Sequence, residues 1–245
     1  TGAAFIEWDA SYSFNLDAQN FRIETLAILP ALSQPPSGIL EGTGSGVGYF
    51  DDPRYVVRGT IRDLFIGDEE IGQVTGRLDV RDGDLRLDVE VASSATAVSV
   101  SGQVALSRPY SADVSLRVTD SSLDPYVRMF MPAWSTRSGA VISGSMDLSG
   151  ELEDWNKVGA VATLEQVNLS LLGYSMSNDG PIRLSLDRQV VQVEKFRLLG
   201  DGSAINLGGD VDLANDSLAL MLQGDANLGI LEDVFEDVRG SGETE

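Results

Sequence analysis

Apolar and polar residues alternate with period two along most of the chain. Ile205, Leu207, Val211 and Leu213 share one parity, with Asn206, Asp210 and Asp212 on the other. The pattern recurs at Val98, Val100, Val104 and Leu106, then at Ile142, Met146, Leu148 and Leu152. Ile182, Leu184 and Leu186 repeat it, as do Leu218, Leu220 and Leu222. Successive side chains of a strand point to opposite sides, so these runs predict strands with one oily face and one wet face. Asp82-Gly83, Asn178-Asp179-Gly180 and Asp201-Gly202 separate the runs, and each suits a tight hairpin that needs positive φ. The expected fold is mostly β, a largely antiparallel meander with one face in water.

Helical periods are short and few. Leu228, Leu231, Val234, Phe235 and Val238 form an apolar stripe, with Glu232, Asp233, Glu236 and Asp237 outside it. A second helix is expected from Leu123 to Met131, stopped by Pro132, with Asp124-Pro125 as N-cap and first helical residue. A third is expected from Ile23 to Leu29, stopped by Pro30.

These three stretches occupy equivalent places, which predicts an internal repeat. Each follows a strand with a similar leucine, Leu16, Leu116 or Leu222, at spacings of 100 and 106. Each precedes a short Gly step: Ser37-Gly38, Ser138-Gly139 or Arg239-Gly240. A strand ending at Gly48 or Gly150 comes next, then Asp52-Pro53 or Asp154-Trp155. The expected organisation is the end of a first unit at 1–36, full units at 37–136 and 137–238, and the start of another at 239–245. Both ends falling inside a unit predicts an excerpt of a longer parent. Roughly 20 strands spaced by about 4.8 Å would give an open sheet near 100 Å long.

Composition narrows the chemistry. The 245 residues carry 17 Lys+Arg against 38 Asp+Glu, a formal net charge of −21, with no His and no Cys. No Ser-His-Asp or Cys-His nucleophile, His or thiolate metal site, or disulfide can be built from them. The acidic surplus argues against nucleic acid, whose phosphates need a basic stripe, and against simple docking on anionic head groups. Hydrophobic residues at 42% argue against a disordered acidic tail. No apolar run reaches the ~18 residues of a membrane helix.

Few motifs suggest a reaction. Gly42-Thr43-Gly44-Ser45-Gly46-Val47-Gly48 resembles a phosphate loop, but Tyr49-Phe50-Asp51-Asp52-Pro53 follows in place of a helix start. It is expected to be a strand with glycine along one face. The carboxylate pairs Asp51/Asp52, Asp82/Asp84 and Glu232/Asp233 fall at turns or on polar faces, so no catalytic or metal site is expected. Asn168-Leu169-Ser170 and Asn215-Asp216-Ser217 are sequons, which matter only in a eukaryotic secretory setting. The aliphatic face itself is the remaining candidate. Its lining is assigned to Val100, Val104, Leu116, Ile142, Met146, Leu148, Ile182, Leu184, Ile205, Leu207, Val211 and Leu220.

The glycines and aliphatic alternation from Ser143 to Leu231, including TLEQVNLSLLGYSMSNDGPIRLSLDRQVVQVEKFRLLGDGSAINLGGDVDL, resemble the TamB group of AsmA-like envelope proteins. The resemblance implies a curved, taco-like sheet with an apolar groove for phospholipid acyl chains. It also implies a parent anchored in the inner membrane and crossing the periplasm of a Gram-negative-type cell envelope. That parent would meet an outer-membrane barrel partner, and the family is linked to outer-membrane protein assembly. This stretch would be a middle section, without the anchor or the barrel-binding end. No cofactor and no enzymatic activity are expected. The alternatives are an exported adhesive or structural β-repeat protein with a closed core, and an acidic carbohydrate enzyme for which no carboxylate pair stands out.

Overall fold

A computed structural model describes residues 1–25, 34–130, 138–171, 174–200, 202–227 and 243–244. Sixteen strands form among them. They are β1 (Gly2–Ile6), β2 (Ser11–Arg22), β3 (Pro36–Tyr49), β4 (Tyr55–Ile66), β5 (Glu69–Arg81), β6 (Asp84–Ala92), β7 (Ala97–Ala105) and β8 (Ser111–Ser122). The others are β9 (Ser138–Glu151), β10 (Val158–Leu171), β11 (Tyr174–Asn178), β12 (Ile182–Asp187), β13 (Val190–Gly200), β14 (Ser203–Asp212), β15 (Ser217–Asn227) and β16 (Glu243–Thr244). Fifteen pair in chain order in one large antiparallel sheet, and β12 sits off that path between β10 and β13. The expectation of roughly 20 strands was too high. Strands such as β3, β9 and β10 run for 14 residues and use up the chain faster.

Two compact units divide the chain, one of residues 1–116 with 149–153, the other of 117–148 with 154–245. Strands β1–β7 and β10–β15 contact their hydrogen-bonded neighbours. Val80 in the first unit and Val158 and Ile182 in the second are the largest fully buried apolar side chains.

Local chemistry explains the hairpins. Asp82 and Gly83 have φ of 53° and 81°, the paired left-handed conformation of a two-residue turn between Arg81 and Asp84. Gly202, with φ 75°, lies in the turn that joins the Gly200–Ser203 pair. The glycine-rich run at 42–48 is strand, as expected. Its glycines permit close approach. A Cβ on Gly46 would lie 2.6 Å from the Phe14 ring and 2.7 Å from the Tyr55 Cβ.

Several expectations need correction. Asn178-Asp179-Gly180 makes no hairpin: β11 and β12 both pair with β10 and β13, so this segment interrupts a single strand position. Leu106, Leu152 and Leu213 continue the alternation but lie past the ends of β7, β9 and β14, and all three are exposed. The second helix forms as α1 (Asp124–Phe130), yet the Val127 amide donates to Leu123 O, so Asp124 already lies inside the first turn. The Asp124 carboxylate instead accepts from the Ala140 amide of β9 at 3.2 Å. The stretch from Ile23 begins as a short 3-10 turn, Ile23–Thr25, and its remainder lies outside the described residues. The Leu228–Val238 stripe and the Arg239-Gly240 step also lie outside them.

Candidate functional site

Directly opposed residues on paired strands point to the same side of a sheet, so register decides which side chains meet. In the first unit the apolar positions line up in transverse rows. One runs Ala4, Phe14, Gly46, Tyr55, Val80, Leu85, Val104. The next runs Gly2, Leu16, Gly44, Val57, Leu78, Leu87, Gly102. Two more, starting at Ala18 and at Phe21, end on Val100 and Val98 of β7. Opposite parity yields a polar face, with Thr43, Arg58, Arg77, Asp88 and Ser101 in one row. Most apolar-face side chains are half-buried by their neighbours, while Val57 and Leu78 near the middle are 37% exposed.

Aromatic rings gather at one end of this face. Tyr12 lies 6.1 Å from Phe14 and 5.5 Å from Phe50, and Phe14 lies 6.3 Å from Tyr55, between ring centroids. The Tyr12 hydroxyl accepts a hydrogen bond from the Arg54 amide at 2.9 Å. Ala4, Ile6 and these rings line an apolar cavity of about 330 Å³. Larger depressions of about 650 and 560 Å³ lie among charged side chains of the polar face, including Asp84, Arg86, Arg58 and Arg77. Those depressions are lined in part by charged side chains, whereas the aromatic cavity is lined mainly by apolar ones.

The second unit repeats the arrangement. Leu184 opposes Ala162 and Val193, Leu207 opposes Phe196 and Leu222, and Val211 opposes Val191 and Leu218. Ile205 opposes Leu198, and Leu220 opposes Gly209. Met176, Ile182 and Leu198 form a small core, with Leu164, Val167, Leu169, Leu184, Phe196 and Ile205 packed on it.

Register thus brings Leu184, Ile205, Leu207, Val211 and Leu220 onto one face of the second unit. Ile182 shares that face but is 1% exposed, so it serves as core and is closed to a ligand. Ile142, Met146 and Leu148 are half-buried on β9, where a Cβ on Gly144 of the same parity would touch Leu164. In the first unit Val100 and Val104 sit in the rows, and Leu116 is half-buried on β8. The reading from sequence missed Tyr12, Phe14, Tyr55, Val57, Leu78, Leu85 and Leu87. Leu85, Leu87, Val89 and Val91 do alternate in sequence, and that signal could have found β6.

Charges on the polar face pair among themselves. Asp79 receives Arg77 at 3.0 Å and Arg81 at 2.8 Å, and the Arg77 hydrogen bond, then the Arg81 charge, hold its carboxyl below the usual range. Hydrogen bonds from Asn215 lower Asp212, and hydrogen bonds from Ser11 lower Asp9. Glu24 is lowered by its own backbone amide and by Arg22. Asp52 and Asp82 beside Arg54 raise that guanidinium further. Among the described residues, no group of three acidic side chains is placed to hold a metal ion, and no helix is long and apolar enough to cross a membrane.

Comparison with protein-family models, curated proteins and solved structures found no match to the chain.

Proposed function

We propose that this chain is a non-catalytic segment of a bridge that carries phospholipid acyl chains along an apolar sheet face between the inner and outer membranes of a bacterial envelope. The observation that carries the reading is the set of apolar rows that register builds across β1–β7, with Val57 and Leu78 near their middle 37% exposed. Water against such a face costs free energy, and each acyl CH₂ sheltered there gains about 0.8 kcal/mol. Head groups would stay in water at the rim of a curved, taco-like section. Acidic side chains on the opposite face keep such a sheet soluble and discourage association.

Repetition supports the same reading. The order β1, β2, 3-10 turn, β3, β4 recurs as β7, β8, α1, β9, β10, with an added 3-10 turn, Trp155–Lys157, before β10. Strands β2, β8 and β15 begin at Ser11, Ser111 and Ser217, spacings of 100 and 106. Units of this kind lengthen a bridge by addition, since each needs contacts only with its neighbours. The resemblance to the TamB group supplies the periplasmic setting, an inner-membrane anchor and an outer-membrane barrel partner, all of them properties of a longer parent.

The test is lipid capture by position. A photo-cross-linking residue at Val57, Leu78 or Met146 should trap phospholipid, one at Thr60 or Arg77 should not, and native mass spectrometry should find co-purified phospholipid. Lipid-free protein, or equal labelling from both faces, would overturn the proposal in favour of a closed-core adhesive or structural β-repeat.

A further inference from the structure

We infer that the aromatic cavity of the first unit seats the ammonium group of a zwitterionic phospholipid head, of the choline or ethanolamine class. The inference rests on the acyl-chain reading above and adds which head group the protein selects. Register and one loop assemble the cavity wall. Tyr12 and Phe14 stand on β2, Tyr55 stands on β4, and Phe50 reaches in from the loop after β3. Along Phe50, Tyr12, Phe14 and Tyr55 the ring centroids are 5.5, 6.1 and 6.3 Å apart, so the four rings form one continuous wall. The Arg54 amide bonds the Tyr12 hydroxyl at 2.9 Å, and the Phe50 amide donates to Ala10 O at 3.2 Å, which holds the wall in place. Ala4 and Ile6 of β1 close one side, but the rings themselves are positioned by β2, β3 and β4.

An apolar cavity alone would suit any hydrocarbon, and the charge beside it selects a cation. The segments 7–10 and 50–54 meet through the Phe50–Ala10 bond, and they carry Glu7, Asp9, Asp51 and Asp52 against Arg54. Arg54 is already shared between Asp52 at 2.9 Å and Asp82 at 3.5 Å. Asp9 accepts from the Ser11 amide at 3.0 Å, while Glu7 and Asp51 are exposed. The local potential is therefore negative. It attracts an ammonium and repels a head whose only charge is its phosphate.

The rings add an attraction of their own. The face of a Tyr or Phe ring is the negative pole of its quadrupole, and a cation held there is stabilised most when it has shed part of its water. Position agrees with chemistry. Tyr12 and Tyr55 stand at the turn ends of β2 and β4, and the row further in, Leu16, Gly44, Val57 and Leu78, has no aromatic residue. An acyl chain on that inner row brings its head to the rings and carboxylates, with the phosphate left in water.

Two short-chain lipids test it on the intact chain: dihexanoyl phosphatidylcholine and dihexanoyl phosphatidylglycerol, each below its micelle concentration. By calorimetry the choline lipid should bind about tenfold more tightly. Its methyl protons should move upfield in NMR, as they do over ring faces. Phe14→Leu and Tyr55→Leu keep an apolar side chain but remove a ring, and each should bring the two lipids toward equal affinity while circular dichroism stays the same. Asp51→Asn, at an exposed carboxylate, should also reduce the preference and carries the test should a ring variant unfold. Trp155→Leu, at an exposed aromatic of the second unit, should keep the preference. Equal affinities in the unaltered chain would overturn the head-group assignment and leave the acyl-chain reading standing. So would a preference that survives in folded Phe14→Leu and Tyr55→Leu, or in Asp51→Asn. Binding of neither lipid would overturn both.

Discussion

The side-chain oxygen of Asn178 accepts a hydrogen bond from the Val167 amide at 2.7 Å, and its nitrogen donates to Glu165 O at 3.0 Å and Gly180 O at 2.9 Å. This amide sits where β10 changes parity. Leu164 opposes Ile182, and Leu169 opposes Met176, yet both pack on one core. Five residues separate Leu164 from Leu169, so a regular strand would put them on opposite faces. The irregularity at Glu165 and Gln166 restores the face, and Asn178 satisfies the backbone groups it exposes. Asn178→Ala should therefore destabilise the second unit by about 1–2 kcal/mol, read as a lower urea midpoint with an unchanged slope. An unchanged midpoint would show that water replaces the amide without loss.

Parity makes the lipid reading sharp. Leu207 is half-buried on the apolar face, and its neighbour Asn206 is exposed on the other. Leu207→Asp should cut co-purified phospholipid by about tenfold or more while the strand signal in circular dichroism persists. Asn206→Asp adds the same charge one position away and should leave lipid unchanged. Met146→Asp on β9 should behave like Leu207→Asp.

Glycines on the apolar face are not equivalent. A Cβ on Gly46 would press on Phe14 and Tyr55 at under 3 Å, whereas one on Gly76 would make an ordinary 3.7 Å contact with Val89. Gly46→Ala should cost about 1–3 kcal/mol, and Phe14→Leu should recover part of that cost. Gly76→Ala should be neutral or slightly stabilising, because it restricts the unfolded chain without strain. Thermal unfolding of the three variants separates these outcomes.

Asp79 is a source of acid sensitivity. Its carboxyl is depressed by Arg77 and then Arg81, so the folded protein holds that proton less tightly than the unfolded chain does. The stabilisation is complete above the unfolded value of about 3.9 and disappears as pH falls through the lower folded value. Asp79→Asn should lower stability at neutral pH and flatten its fall below about pH 4. Urea midpoints measured from pH 7 to pH 3 would reveal it, and parallel curves for the two proteins would count against the assignment.

Much of this architecture was legible in the residues. Val98, Val100 and Val104 announce β7 because alternation is a local property, and Asp82-Gly83 announces its hairpin because positive φ restricts residue choice at the turn itself. Asn178-Asp179-Gly180 looked equally like a hairpin. Its true role depends on Val167 and Glu165, more than ten residues earlier, and a turn motif holds no record of such partners. Leu106, Leu152 and Leu213 continued the period past strands that had already ended, since pairing and not pattern ends a strand.

The aromatic cavity marks the same limit. Tyr12, Phe14, Phe50 and Tyr55 come from β2, the loop after β3, and β4, and only register brings them together beside Gly46. The sequence by itself determined that this chain makes strands with an aliphatic side and an acidic-rich polar side, because side-chain direction along a strand has period two. Tertiary structure alone decided which glycine lies beside which ring, where β10 shifts parity, and which apolar-face side chains, Val57 and Leu78 among them, stay exposed while Val80 is buried. Those outcomes rest on long-range pairing, where a slip of one residue exchanges the two faces while the local pattern stays the same.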